Sequence, residues 1–254
     1  MGLTPAIHSR EEHIKALVLA GAILIVLPLL PLGNLVLYPF MILSTWFHEM
    51  GHGMAAVMVG YDFERLVLFP DGSGVAESYG PLRGTRLKEA TISAAGPIGP
   101  AIIGSLLIIA SAHPRAWKPA LFLLAAAIAL STVIWVDGMT GWIVLPLIAA
   151  GLVAIGLKGT PWLDRFALQL LGLQAALSMF AQWDYLLMEQ ADIGGGTMLS
   201  DTGQLEAALL LPHSVWAIGI IALAALMIGA SLRYALSDRR TPSDWTPRRV
   251  KRRP

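Results

Sequence analysis

The strongest constraint on this chain is how far it runs without a charge. From Ala16 to Phe47, 32 consecutive residues include no Asp, Glu, Lys, Arg or His. Another 23 separate Glu89 from His113, and between Glu206 and Arg233 the one such residue is His213. Apolar stretches of this length can cross a hydrocarbon core about 30 Å thick. Composition agrees: the 254 residues are 56% hydrophobic and 14% charged, against about 25% charged in a soluble domain. An ordinary water-soluble enzyme is excluded. The absence of cysteine removes disulfide scaffolds, thiolate-bound metal and thiol catalysis.

Seven apolar segments can be marked, at about 16–32, 35–59, 90–112, 119–136, 140–157, 166–187 and 207–232. Lipid offers no partner to an unpaired backbone group, so each segment is read as a helix. Arg10 and Lys15 ahead of the first segment look like the start of a signal peptide, but no small-residue cleavage site follows, and the segment is taken as an uncleaved helix. The stretch 62–79 differs. Val67, Leu68 and Phe69 favour strand, Pro70-Asp71-Gly72 makes a turn, and a second short extended run follows. The expected fold class is an all-α multi-pass membrane protein of about 6–7 transmembrane helices, with a small β-hairpin between helices two and three. Residues 1–15 are expected as an N-terminal cap, 16–232 as a single membrane-embedded domain and 233–254 as a basic tail.

That tail carries eight Lys or Arg against two Asp. The positive-inside rule places it in the cytoplasm, where it would contact the bilayer and its anionic headgroups rather than nucleic acid. The loop from Gly60 to Glu89 holds Arg65, Arg83, Arg86 and Lys88 and by the same rule belongs on the same side. Five segments lie between loop and tail, where an even number is required. One segment is therefore re-entrant or partial, or the basic loop is translocated. The stretch from Asp184 to Glu206 has five acidic residues and no basic one, and is expected to face away from the cytoplasm.

His48-Glu49-Met50-Gly51-His52 is an H-E-x-x-H inside the second segment. On a helix, positions i and i+4 lie about 40° apart and one turn along, so both imidazoles can face one cation. Glu49 sits about 100° round from His48, where it can reach a water bound to that cation. Zinc lowers the pKa of such a water from about 15.7 towards 7, and the glutamate takes its proton as the water attacks a carbonyl. Random placement in a chain of this composition yields the pattern roughly once in 200 sequences. A pair of hydrogen-bonded core histidines with an incidental glutamate is the plain alternative. It fits poorly within an apolar segment, where ionisable groups are costly and mark function.

The motif, with Phe47 before it and Gly53 after it, resembles that of the intramembrane zinc metalloproteases of the site-2 protease clan, most closely the M50B-like peptidase family. Leu68-Phe-Pro-Asp-Gly-Ser-Gly-Val75, Ala94-Ala-Gly-Pro-Ile-Gly-Pro100 and Ser200-Asp201-Thr202 add to the likeness, which covers about residues 35–232. The resemblance implies a Zn2+-dependent endopeptidase that hydrolyses peptide bonds of a locally unwound membrane-spanning protein substrate. It implies His48 and His52 as zinc ligands and Glu49 as general base and acid. The expected setting is a bacterial cytoplasmic membrane, with the C-terminus cytoplasmic.

A catalytic zinc takes three protein ligands and an open position. His113, beside Pro114, and His213, after Pro212, look like segment boundaries. Asp137 is the one charged residue between Pro119 and Leu157. Asp137-Gly138 is a good turn pair, but Val136-Asp137-Gly138 also resembles the Leu-Asp-Gly of site-2 proteases, whose aspartate binds zinc. Asp201 reads on its own as a helix N-cap, yet it matches the Ser-Asp-Ala pattern of the M50B-like branch, with Thr202 as the departure. The third ligand stays open between Asp137 and Asp201, with Asp184 behind them.

Gly96, Pro97, Gly99 and Pro100 suggest close helix packing with a kink, or backbone that positions substrate. The strand at Leu66–Phe69 is either an edge for an incoming peptide or part of a plain hairpin. Two other functions compete. One is a non-proteolytic metal-binding membrane protein. The other is a proton or metal-ion transporter using Asp137 and Asp184, a class that often shows internal repeats, of which none is found here.

Overall fold

The computed structural model describes residues 10–80, 85–181 and 183–237. Most of the expected N-terminal cap, Arg83, and the basic tail from Asp238 onward lie outside the described residues. The chain is mostly helical: α1 (Arg10–Val26), α2 (Gly33–Met58), α3 (Arg86–Ser111), α4 (Trp117–Ile134), α5 (Met139–Lys158), α6 (Pro161–Ala181), α7 (Trp183–Leu187), α8 (Asp201–Leu209) and α9 (His213–Leu236). Five strands accompany them: β1 (Asp62–Leu68), β2 (Gly74–Tyr79), β3 (Val136–Asp137), β4 (Gln190–Ile193) and β5 (Gly196–Leu199).

All seven apolar segments are largely helical, but among the described residues four helical stretches are long and apolar enough to cross a membrane: Arg86–Ser111, Pro114–Ile134, Met139–Lys158 and His213–Leu236. The stretch Ile14–Leu29 is apolar but shorter. α2 and α6 fall outside this set although each has more than 20 residues. Ser44, Thr45, His48, Glu49 and His52 dilute α2, and Asp164, Arg165, Gln169 and Gln174 dilute α6. Polar side chains turned into a bundle lower mean hydropathy without making a helix a surface element.

Two expected segments are divided. The last one breaks at Leu210, whose φ of 67° stops α8, and Pro212 precedes α9. Glu206 holds the break together, its carboxylate accepting both the backbone N–H and Nδ1 of His213 at 2.7 Å. The sixth segment ends as α6 and restarts as the short α7.

The hairpin forms where the pattern placed it, with Leu66 opposite Ala76, Val67 opposite Val75 and Leu68 opposite Gly74. In its turn, Asp71 Oδ1 accepts the Ser73 hydroxyl and N–H at 2.7 and 2.9 Å, an Asx turn. Those bonds, the hydroxyl first, hold the Asp71 carboxyl below the ordinary aspartate range. Val136–Asp137 is not helical: it adds to β1 in parallel, giving the order β2-β1-β3. β1 is therefore the central strand, paired with β2 on one side and at Leu66 and Val67 with β3 on the other, and β2 and β3 are the edge strands. A second hairpin, β4–β5, turns at Gly194-Gly195, both with positive φ, as a two-residue turn of this kind needs.

α3 packs against α2, α6, α8 and α9. The main core joins Ile42, Leu43, Trp46 and Phe47 of α2 to Leu66 and Leu68 of the sheet, and to Leu121, Ile128, Leu145 and Leu168 of α4, α5 and α6. Trp46 Nε1 donates to Ser131 Oγ at 3.0 Å inside it. Between helices in lipid the hydrophobic effect gives no drive, so small residues that permit backbone approach carry the association. Gly104 of α3 is one: a Cβ there would lie 2.6 Å from both Ala176 N and Gly172 O of α6. Gly104→Val should destabilise the protein by about 2 kcal/mol or more through overpacking. Reversible denaturation in detergent measures this, and Gly151→Ala, where a Cβ meets nothing within 4 Å, is the control.

Candidate metal centre

The centre is built on the second half of α2. Two hydroxyls from that helix fasten the hairpin turn alongside it: Tyr38 Oη donates to Pro70 O at 3.0 Å, and Thr45 Oγ1 donates to Gly72 O at 2.6 Å. The start of β2 is pressed against the helix, because a Cβ on Gly74 would meet Thr45 Cγ2 at 2.7 Å and Glu49 Cγ at 2.9 Å. Glu49 is buried, and its carboxylate takes a hydrogen bond from the Ala76 backbone N–H.

His48 and His52 lie on one face of α2, their Nε2 atoms 3.1 Å apart. Asp201 reaches the same point from α8, with Oδ2 at 2.9 Å from His48 Nε2 and Oδ1 at 3.1 Å from His52 Nε2. Among the described residues, these three form the one group of His, Asp or Glu side chains whose ligand atoms all lie within 4.8 Å of each other. Asp201 is the first residue of α8, and the N-cap is Ser200, whose Oγ accepts the Gly203 N–H at 3.1 Å. Thr202 Oγ1 donates to Leu186 O at 2.7 Å. The serine and the threonine thus clamp the helix start, and the carboxylate between them is spared for the histidines.

His52 Nδ1 lies 2.8 Å from the Ile92 carbonyl. A carbonyl only accepts, so Nδ1 carries the proton and the neutral ring presents the Nε2 lone pair to the group. Asp201 Oδ2 is buried and accepts no hydrogen bond despite its closeness to His48. Lone pairs of two imidazoles and a carboxylate converge there with too few protons between them, and a cation relieves that crowding. The 3.1 Å between the two Nε2 atoms is close to the edge of about 3.3 Å of a tetrahedron with bonds of about 2.0 Å, and one oxygen of Asp201 lies within 4.8 Å of both. The donor set fits a divalent metal.

Room for the His52 ring comes from α3. A Cβ on Gly96 would fall on the imidazole, and one on Gly51 would fall on the Ala95 carbonyl. The Ala94–Pro100 stretch is therefore a close helix crossing that also makes space for a ligand.

The other carboxylates stand elsewhere. Asp137 is exposed on β3, where Oδ2 accepts Arg65 Nη1 at 3.2 Å, and β1 separates it from β2. Arg65 also binds Glu77 through Nε and Nη2, each at 2.9 Å, which raises its pKa further. Asp184 is exposed on α7.

Tyr185 carried no signal in the sequence, yet it stands at the centre: its Oη accepts the Asp201 N–H at 3.3 Å and its ring meets His48 edge-on at 6.5 Å. An isolated aromatic at the end of an apolar segment reads as an interfacial anchor, so pattern alone would not find it. The group opens onto a cleft of about 330 Å3, walled by β2 on one side and by Ile193, Met198 and Leu199 of the second hairpin on the other.

An integral membrane protein with an H-E-x-x-H helix and a converging aspartate is what the fold and site define. The Peptidase M50B-like family model matches residues 16–231. The chain belongs to that family, which is part of the site-2 protease clan. No curated protein and no solved structure matches it.

Replacing Gly96 by Ala should lower metal content to below half of wild type, since the His52 ring must leave its place. Elemental analysis of purified protein tests this, with the melting temperature showing that the variant is folded.

Proposed function

We propose that the protein is an intramembrane zinc endopeptidase, with His48, His52 and Asp201 as ligands and Glu49 as general base and acid. The observation that carries this reading is the convergence of both motif histidines with Asp201 beside a buried Glu49, at the wall of an open cleft. Three protein ligands with a fourth side open is the arrangement of catalytic zinc, whereas structural sites are closed. Asp201 is preferred to Asp137 because Asp137 is held by Arg65 on the far side of β1.

Zinc bound there supplies Lewis acidity towards water and the scissile carbonyl. Glu49 accepts the proton of the attacking water and returns it to the amide nitrogen as the C–N bond breaks, so no proton need come from the bilayer. Positioned proton transfer of this kind is worth about 10²–10⁴ in rate.

The substrate is the peptide of a membrane-spanning protein, taken in extended form along β2. Leu66 N–H is spent on Trp135 O at 2.7 Å, on the β3 side. Its partner Ala76 accordingly turns its peptide groups away from β1, which is why its N–H reaches Glu49. By the two-residue period of a strand, Gly74 and Ser78 face the same way. A peptide adding to this edge would pass beside the metal group, and a helical substrate must unwind to do so. The setting we propose is a bacterial cytoplasmic membrane with the tail on the cytoplasmic side.

The test is metal content and cleavage measured together on purified protein. Wild type should hold about one zinc per chain and cut an unfolded reporter protein. Glu49→Gln should keep the zinc and lose at least about 10²-fold in rate. Asp201→Ala should lose the zinc, while Asp137→Ala keeps it. Zinc retained by Asp201→Ala and lost from Asp137→Ala would reverse the assignment.

A further inference from the structure

Beneath His48, between α2, α3, α6 and α7, lies a second, much smaller hollow, which shares His48 and Tyr185 with the open cleft. Ser44, His48, Pro97, Pro100, Ser178 and Tyr185 are among its walls, and it has room of about 10 Å3 for the centre of a water molecule. We propose that this hollow is a binding site for one ordered water, which is the hydrogen-bond partner of His48 Nδ1. The inference deepens the metal-centre reading and rests on it.

The two motif histidines differ in their support. Metal-binding histidines nearly always donate their second N–H to a fixed acceptor, which sets the tautomer and the ring angle. His52 has the Ile92 carbonyl for this at 2.8 Å. His48 Nε2 faces Asp201 and His52, and His48 Nδ1 has no hydrogen-bond partner among the described residues. The hollow adjoins that ring.

Its polar lining suits a water. Ser178 Oγ gives its proton to Ala175 O at 2.8 Å and keeps lone pairs to accept another. Ser44 Oγ receives Gln174 Nε2 at 3.5 Å and keeps its own proton to donate. A water would accept from His48 Nδ1 and Ser44, and donate to Ser178. A buried water needs two to four polar partners and a centre-accessible volume of roughly 10–15 Å3, and the hollow is at that lower limit. With one water there, Ser44 and Ser178 become positioning residues for the metal ligand.

The experiment uses the full chain in detergent. Zinc affinity is measured by competition with a chromogenic chelator, for wild type and for Ser44→Ala/Ser178→Ala. The His48 ring nitrogens are followed by NMR on protein labelled with 15N-histidine. The double variant should bind zinc about tenfold or more weakly, and its His48 Nδ1 signal should move while that of His52 stays. An unchanged affinity with an unmoved His48 signal would overturn the proposal.

If the double variant fails to fold, Ser178→Ala alone and an experimental density map decide. A water at hydrogen-bond distance from His48 Nδ1 supports the site, and a dry hollow refutes it. If wild type binds no zinc at all, the metal-centre reading falls by itself, and the map and the His48 signal still judge the water.

Discussion

Everything at the candidate metal group depends on α2 and α3 crossing at glycines, where no Cβ holds the two backbones apart. Helices in lipid gain nothing by hiding apolar surface from each other, so they associate through close contact and directed polar bonds. Gly51 sits against the Ala95 backbone and Gly99 near the Phe47 carbonyl. At that spacing the His52 ring lies over Gly96 and its Nδ1 reaches Ile92 O. A methyl group at Gly96 would occupy the place of the imidazole. The small residues of α3 are thus packing residues and site residues at once, because the ligand fills the space their missing side chains leave.

The second dependence is on the sheet. Tyr38 and Thr45 hold the Pro70–Gly72 turn to α2, and Gly74 lets β2 close onto Glu49. One strand then acts at three levels. It covers the buried carboxylate, it gives the Ala76 N–H to that carboxylate, and the rest of its outer edge borders the cleft. β3 contributes from the far side by occupying the other edge of β1, so β2 is the side of this sheet left free beside the metal group.

Much of this was legible in the residues themselves. Apolar runs marked the helical stretches, though not that two of them fold as divided helices, and the H-E-x-x-H named two histidines that come together and a glutamate buried next to them. The hairpin followed from Val67–Phe69 and the Pro-Asp-Gly turn. What could not be read depended on long-range placement. Asp137 and Asp201 each follow a plausible local motif, and only folding shows that one lies on a β-strand beside Arg65 while the other faces the histidines. Val136–Asp137 joins β1 across 70 residues of sequence, so no local period announces it. The β4–β5 hairpin was not anticipated: the stretch from Asp184 to Glu206 reads only as an acidic loop, although Gly194-Gly195 makes the turn. α2 and α6 have lower mean hydropathy than the four candidate spans because they carry polar residues, several of them buried.

The same placement separates the competing functions. A transporter working through Asp137 and Asp184 needs those carboxylates inside the bundle, and both are exposed, Asp137 in an ion pair with Arg65. Among the described residues, the fully buried ionisable groups are Glu49 and Asp201 at the metal group, and Asp164 with Arg165 on α6. A protein that only stored or presented a metal would gain by closing the coordination shell with a fourth ligand. Here the fourth side is a cleft, and the nearest acid is a buried glutamate anchored to the edge of that cleft. Burying a carboxylate is costly unless it is paired or put to use. On the function proposed above, Glu49 would stand where water, metal and an extended peptide meet, and it is the residue that would separate a hydrolytic centre from a metal-holding one.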